Sequence, residues 1–92
     1  MKKIQPIQVW TNGQVQSATW LNAYVINDNL KDSATFYYSV NASSDDIDAP
    51  GAALSDGNLT MNGDAYQNWN ADPDINDAAY QWVATTLGLT II

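Results

Sequence analysis

Two runs of the chain, ATWLNAYVIN (18–27) and ATFYYSVN (34–41), are dense in aromatic and β-branched residues, with the turn formers NDNLKDS between them. Their period-two patterning reads as two strands. In the second, Phe36, Tyr38 and Val40 oppose Thr35, Tyr37 and Ser39, an inside and an outside. In the first, Ala18, Trp20, Asn22, Tyr24 and Ile26 share one face and Leu21, Ala23 and Val25 the other. Both of those faces are largely apolar. Such a strand is either buried on both sides or meets another subunit on its second face.

Turn signals divide the rest. Asn12-Gly13 follows Ile4-Gln5-Pro6-Ile7-Gln8-Val9-Trp10 and precedes a second extended run. Because both residues tolerate positive φ, the pair suits a two-residue hairpin. Pro6 has no backbone donor, so the first strand belongs at an edge or is bulged there. Asp56-Gly57 predicts a shorter hairpin between Ala53-Leu54 and Asn58-Leu59-Thr60-Met61, and Asn62-Gly63 leads into a helical turn. Residues 42–52, ASSDDIDAPGA, read as an exposed acidic loop.

The last third has a helical period. Ala79, Trp82, Val83, Thr86 and Leu87 fall three and four apart, with Asn76 or Asp77 to cap the start and Gly88 to stop the end. Leu89 supplies the hydrophobic closure, and the β-prone tail Leu89-Thr90-Ile91-Ile92 is expected to add a strand. The pattern therefore predicts one α+β domain over residues 1–92. It has an antiparallel β-sheet from the N-terminal two-thirds, a short helix at about 64–70, a longer C-terminal helix at about 77–87 and a final β-strand. Packing is expected to rest on Trp20, Tyr24, Phe36, Tyr38, Trp69, Trp82, Val83 and Leu87.

Composition narrows what such a domain can do. Apolar residues are 46% of the 92 and charged ones 14%, too hydrophobic for a disordered tail and too lightly charged for a coiled coil. The ten acidic residues are all Asp, and Lys2, Lys3 and Lys31 are the only cations. Phosphate neutralisation needs Lys or Arg, so nucleic acid is excluded as a partner, and an anionic membrane surface is disfavoured for the same reason. Without cysteine there is no disulfide framework, thiolate metal site or thiol nucleophile. Met1-Lys2-Lys3 resembles a signal n-region, but the polar IQPIQVWTNGQ after it cannot be an h-region. No apolar run approaches the roughly 20 residues of a membrane span. The expectation is a soluble protein kept as encoded, with both ends packed or paired.

Candidate chemistry centres on an echo, Asp64-Ala65-Tyr66-Gln67-Asn68-Trp69 and Asp77-Ala78-Ala79-Tyr80-Gln81-Trp82. Asp64 with Gln67 has the spacing of a capping box, so the echo reads first as two helix starts with core aromatics. Between them, Asp72, Asp74, Asn76 and Asp77 could hold a calcium ion weakly at the surface. The EF-hand pattern fails where Gly and Glu should stand, at Asp77 and Val83. No other cofactor is implied. Trp10, Trp20 and Tyr37 could form a glycan-stacking platform, although a core or subunit interface uses the same rings. Catalysis has the least support: without His, Cys, Arg or Glu, a glycosidase would need a pair from Asp45, Asp46 and Asp48, and no enzyme is expected.

Taken together, IQPIQVWTNGQ, INDNLKDSATFYYSV, GNLTMNGDAYQNW and AAYQWVATTLGLTII resemble small virion-associated structural proteins of tailed bacteriophages, over nearly the whole chain. The shared features are turn glycines, aromatic anchors and the LGLTII ending, so no functional residue is carried over. The resemblance implies a component of tail, baseplate, fibre or capsid exterior, made in the host bacterial cytoplasm and destined for the virion. Its role would be that of an assembly or adaptor subunit, packing against other virion proteins and against itself as a homo-oligomer. The alternative is a carbohydrate-binding accessory module that uses the exposed Trp and Tyr, with or without a surface metal.

Overall fold

A computed structural model describes residues 2–11, 13–44 and 50–92, with Thr11 described in its backbone only. Four strands run consecutively: β1 (Lys2–Thr11), β2 (Gln14–Asp28), β3 (Ser33–Ser43) and β4 (Pro50–Asn62). Each pairs antiparallel with the next, in the order β1-β2-β3-β4. Two helices follow, α1 (Gly63–Asn70) and α2 (Ile75–Leu87), both packed on one face of the sheet. The α+β reading holds, and both helices lie within two residues of their expected bounds.

The first hairpin forms where Asn12-Gly13 predicts it. Thr11 pairs with Gln14, and Gly13 has φ 79°. β1 is an edge strand whose register shifts between Lys3 and Ile7, around the missing donor of Pro6. The β2–β3 turn is organised by one side chain. Asn29 Oδ1 accepts from the backbone N–H groups of Lys31, Asp32 and Ser33 at 2.8, 3.0 and 3.1 Å, while its Nδ2 donates to Asp32 and Ser33. Asp28 caps the same turn by accepting from the Leu30 N–H at 2.8 Å. That arrangement forces Leu30 to φ 59° while leaving its side chain 83% exposed. A γ-branched residue gains nothing there and carries left-handed strain. We expect Leu30→Asn to raise unfolding free energy by ~0.5–1 kcal/mol in urea titration, since Asn tolerates that backbone region.

The Asp56-Gly57 hairpin does not form. β4 runs through both residues, pairing without interruption from Ser55↔Val40 to Asn62↔Ser33. Gly57 lies opposite Tyr38, and a Cβ there would come within 2.9 Å of the phenolic oxygen. Its smallness makes room for a ring and does not supply a turn. The acidic loop is shorter than expected, since Ser43 pairs with Pro50. Asp45, Asp46 and Asp48 lie outside the described residues.

Helix starts differ from the sequence expectation in detail. The capping box at Asp64 does not form: Asn62 is the N-cap, Asp64 sits exposed in the first turn, and the Gln67 amide instead donates to the Lys31 carbonyl at 3.3 Å. α2 begins earlier than expected because Asp74, not Asn76 or Asp77, caps it, accepting from the Asp77 N–H at 3.0 Å. At the other end Gly88 takes φ 76°, where a side chain would be strained. The Leu89 N–H then reaches the Ala84 carbonyl at 2.8 Å, the expected left-handed stop.

The tail is a correction. No final strand forms; Ile91 makes a single bridge to Ile4, flanked by Gln5 N–H to Thr90 O (2.9 Å) and Ile92 N–H to Lys3 O (3.1 Å). The register shift after Lys3 and the missing Pro6 donor deprive β1 of the regular outer edge that a longer pairing needs.

The core lies between the sheet and the helices. β2 and β3 contribute Leu21, Ala23, Phe36 and Val40, and α2 contributes Ala79, Tyr80, Val83 and Ala84. Phe36 is fully buried, with Trp69 edge-on at 5.3 Å and Trp82 tilted at 5.7 Å. The Trp69 indole N–H donates to the Ile75 carbonyl at 2.8 Å, so one ring joins α1 to the first turn of α2. On α2, Tyr80 and Ala84 are buried where the period had suggested Thr86, which is exposed and bonds back to the Trp82 carbonyl. Of the expected packing residues, Tyr24 is the exception: it is 50% exposed.

Candidate assembly surface

Because both helices sit on one face, the residues that alternate away from the core form a second face with no described element across it. Pairing brings together Lys3 and Trp20, then Asn22, Ser39 and Asp56, then Tyr24, Tyr37 and Asn58, then Thr35 and Thr60. The strands are tied laterally there: Gln8 donates to Ser17 (3.1 Å), Tyr37 to Asp56 (3.0 Å), and Thr35 meets Thr60 at 3.4 Å. The Tyr24 and Tyr37 rings touch at 5.2 Å, tilted by 41°.

Two phenols have carboxylate acceptors. The hydrogen bond to Asp56 raises the Tyr37 pKa above its ordinary 10.0, and the bond to Asp28, at 2.8 Å, raises that of Tyr66. Folding therefore favours the protonated phenol, and the unfolded chain loses that proton first as pH rises. The associated stability is complete below about pH 10 and is lost as pH climbs through the folded pKa values. We expect urea midpoints to fall above about pH 10, and to fall less steeply in Tyr66→Phe.

The last stretch of β2 has no described strand on its outer side. β1 pairs with β2 only as far as Lys2↔Leu21, so among the described residues nothing pairs with residues 22–28 on that side. The same stretch exposes Tyr24 by 50%, Val25 by 44% and Ile26 by 52%. Ile75, at the start of α2, is also exposed beside it. A depression of about 180 Å³ straddles the edge, lined by Tyr24 from the open face and by Val25, Trp69, Ile75, Asn76 and Ala79 from the helix side. Three consecutive exposed apolar residues match neither a solvent-facing strand nor a half-buried one. They form an exposed apolar patch, the kind of surface at which contacts with other molecules are made.

The other predicted site residues are dispersed. Trp20 is only 9% exposed and carries the Lys3 ammonium over its ring at 5.3 Å. Tyr37 is half-buried, and Trp10 is 71% exposed beside Val15 near the first turn. Along β2, Trp20 is five positions beyond Val15, and Tyr24, the partner of Tyr37, four positions beyond Trp20. At about 3.3 Å per residue those are gaps of ~13–17 Å, so the three rings share no platform. In the acidic run, Asp72 accepts from the Asp74 N–H and Asp74 from the Asp77 N–H, while Asp77 lies 3.4 Å from the Lys2 ammonium. Asn76 lines the edge depression. Of these, only Asp74 caps a helix, and among the described residues no group of three or more His, Cys, Asp or Glu side chains is gathered around a metal position.

Comparison with protein-family models, curated proteins and solved structures finds no match to the chain. Among the described residues, no helix is long and apolar enough to cross a membrane. The surface is thus read from its own chemistry. Its signal in the sequence was the strand with two apolar faces. The missing information was that Tyr24, Val25 and Ile26 would all stand exposed, with Ile75 exposed next to them.

Proposed function

We propose that the chain is an assembly subunit, a structural component of a tailed-bacteriophage particle that acts by protein–protein packing. The observation that carries this reading is the run Tyr24, Val25 and Ile26, three consecutive exposed apolar residues on β2 beside the exposed Ile75. Interfaces favour aromatic residues and keep charge from their centres, and residues 14–27 contain no charged side chain. The resemblance of the turn, anchor and LGLTII segments to small phage structural proteins supplies the setting. The scarcity of cations favours a place away from packaged DNA, on tail, baseplate, fibre or capsid exterior.

The test is mass spectrometry of gradient-purified particles from the phage that encodes this sequence. Stoichiometric recovery with the particle, resistant to a high-salt wash, is the expected result. Its absence from particles, with the protein left in the soluble lysate, overturns the reading.

A further inference from the structure

We propose that the furrow between α1 and α2 takes an arginine side chain of another protein, its guanidinium stacked on Trp82 and paired with Asp72. The proposal rests on the assembly reading and gives that subunit a second, charged point of attachment. Three observations select this occupant.

The first is the furrow itself. Ala65 on α1 and Ala78 on α2 line it, and their small side chains keep it open, leaving about 310 Å³. That is the small end of the ~300–1,000 Å³ range of ligand sites, room for one long side chain and not for a helix or strand. Its aromatic wall is Trp69, which is buried, and Trp82, which is half-buried and so keeps part of its indole for a ligand. The Trp69 N–H is already held by the Ile75 carbonyl, so that ring brings no donor to the site. An indole face attracts a cation, and a planar guanidinium stacks on it as an ammonium does not.

The second is charge. Asp72 stands exposed on the furrow, four residues beyond Asn68, whose amide oxygen is a further acceptor. One Asp72 oxygen accepts from the Asp74 N–H at 2.9 Å, but among the described residues no cation pairs with the carboxylate. A carboxylate accepts several hydrogen bonds, so this one still has room for a guanidinium. Residues 32–92 carry nine Asp and no cation, so an acidic or phosphate-bearing ligand is repelled.

The third is what the chain lacks. It has no arginine, and of its three lysines Lys2 lies 3.4 Å from Asp77 while Lys3 lies over Trp20. Only Lys31 is left to offer from a second copy, and an ammonium makes neither the flat stack nor the two-pronged pairing with a carboxylate. The arginine therefore belongs to a different protein.

The experiment is an NMR titration of the isotope-labelled chain with Nα-acetyl-arginine methylamide, which carries the side chain without charged termini. The expected result is saturable shifts of the Trp82 indole N–H and of the Ala65, Asn68 and Ala78 amides, with a Kd of about 1–10 mM for so small a ligand. Asp72→Asn keeps an acceptor for the Asp74 N–H and should weaken binding about three- to fivefold. Asp56→Asn, the same loss of charge on the opposite face of the sheet, should leave it unchanged. No saturation by about 20 mM overturns the proposal, as does an unaltered Kd in Asp72→Asn. Equal binding of the neutral citrulline counterpart would show that charge is not read, and equal binding of the lysine counterpart would remove the case for a guanidinium; either overturns it. Tighter binding of free arginine than of the blocked form would replace the protein partner by a small molecule. A chain recovered from particles that binds no blocked arginine would reject the furrow and leave the assembly reading standing. A chain that binds it but is absent from particles would do the reverse.

Discussion

Phe36→Ala is expected to remove about 3–5 kcal/mol of stability, a third or more of the total, and to lower the urea midpoint accordingly. Phe36 is fully buried at the centre of the sheet, and its ring is the point where Trp69 of α1 and Trp82 of α2 both touch β3. Truncating a buried phenylalanine costs about 3–5 kcal/mol, the lost transfer energy plus the cavity that remains. A domain of this size has only ~5–10 kcal/mol in total. Collapse cannot recover much of the loss, because the two indoles are held by different helices and cannot both move inward. Urea denaturation followed by far-ultraviolet circular dichroism would measure it. A midpoint within error of wild type would mean that the three-ring junction is not the centre of the core.

Trp69→Ala should be almost as damaging, by ~3–5 kcal/mol, for a partly different reason. Besides packing against Phe36 and Tyr66, the Trp69 ring donates its N–H to the Ile75 carbonyl, which helps fix where α2 begins. Trp69→Phe keeps one ring against Phe36 and loses the N–H bond with part of the packing, so it should cost nearer ~1–2 kcal/mol. Since Phe36 and Trp69 touch, the double variant Phe36→Ala, Trp69→Ala should destabilise by less than the sum of the two single changes. If the two changes added, the rings would be acting independently, contrary to the contact between them.

Much of the fold was legible because local chemistry and tertiary packing agreed. Gly13 took the positive φ of the first hairpin, Pro6 sat in a bulged edge strand, and Gly88 took the left-handed stop, each for the reason its residue type suggests. The misreadings occurred where a distant residue decided the outcome. Asp56-Gly57 has every local mark of a turn, yet Tyr38 needs a partner without a side chain, and that requirement comes from β3. Asp64 and Gln67 had capping-box spacing, but the Lys31 carbonyl, 36 residues away in sequence, claimed the Gln67 amide. On α2 the period allowed more than one apolar stripe, and only the sheet beneath it selected Tyr80 and Ala84 over Thr86. The candidate surface was half legible: the charge-free, two-faced strand was visible, but the approach of exposed Ile75 to it, set by the packing of α2 on the sheet, was not.

The meander order has a consequence for how the molecule comes together. Every strand pairs with the strand next to it in sequence, so the sheet can be zipped one hairpin at a time, each closure spanning a short loop. The exception is the bridge of Ile91 to Ile4, which joins the two extremes of the chain. It closes the largest loop for the fewest bonds. The amides of Gln5 and Ile92 should therefore be among the first of the hydrogen-bonded set to exchange with deuterium, opening without disturbing the hairpins beside them.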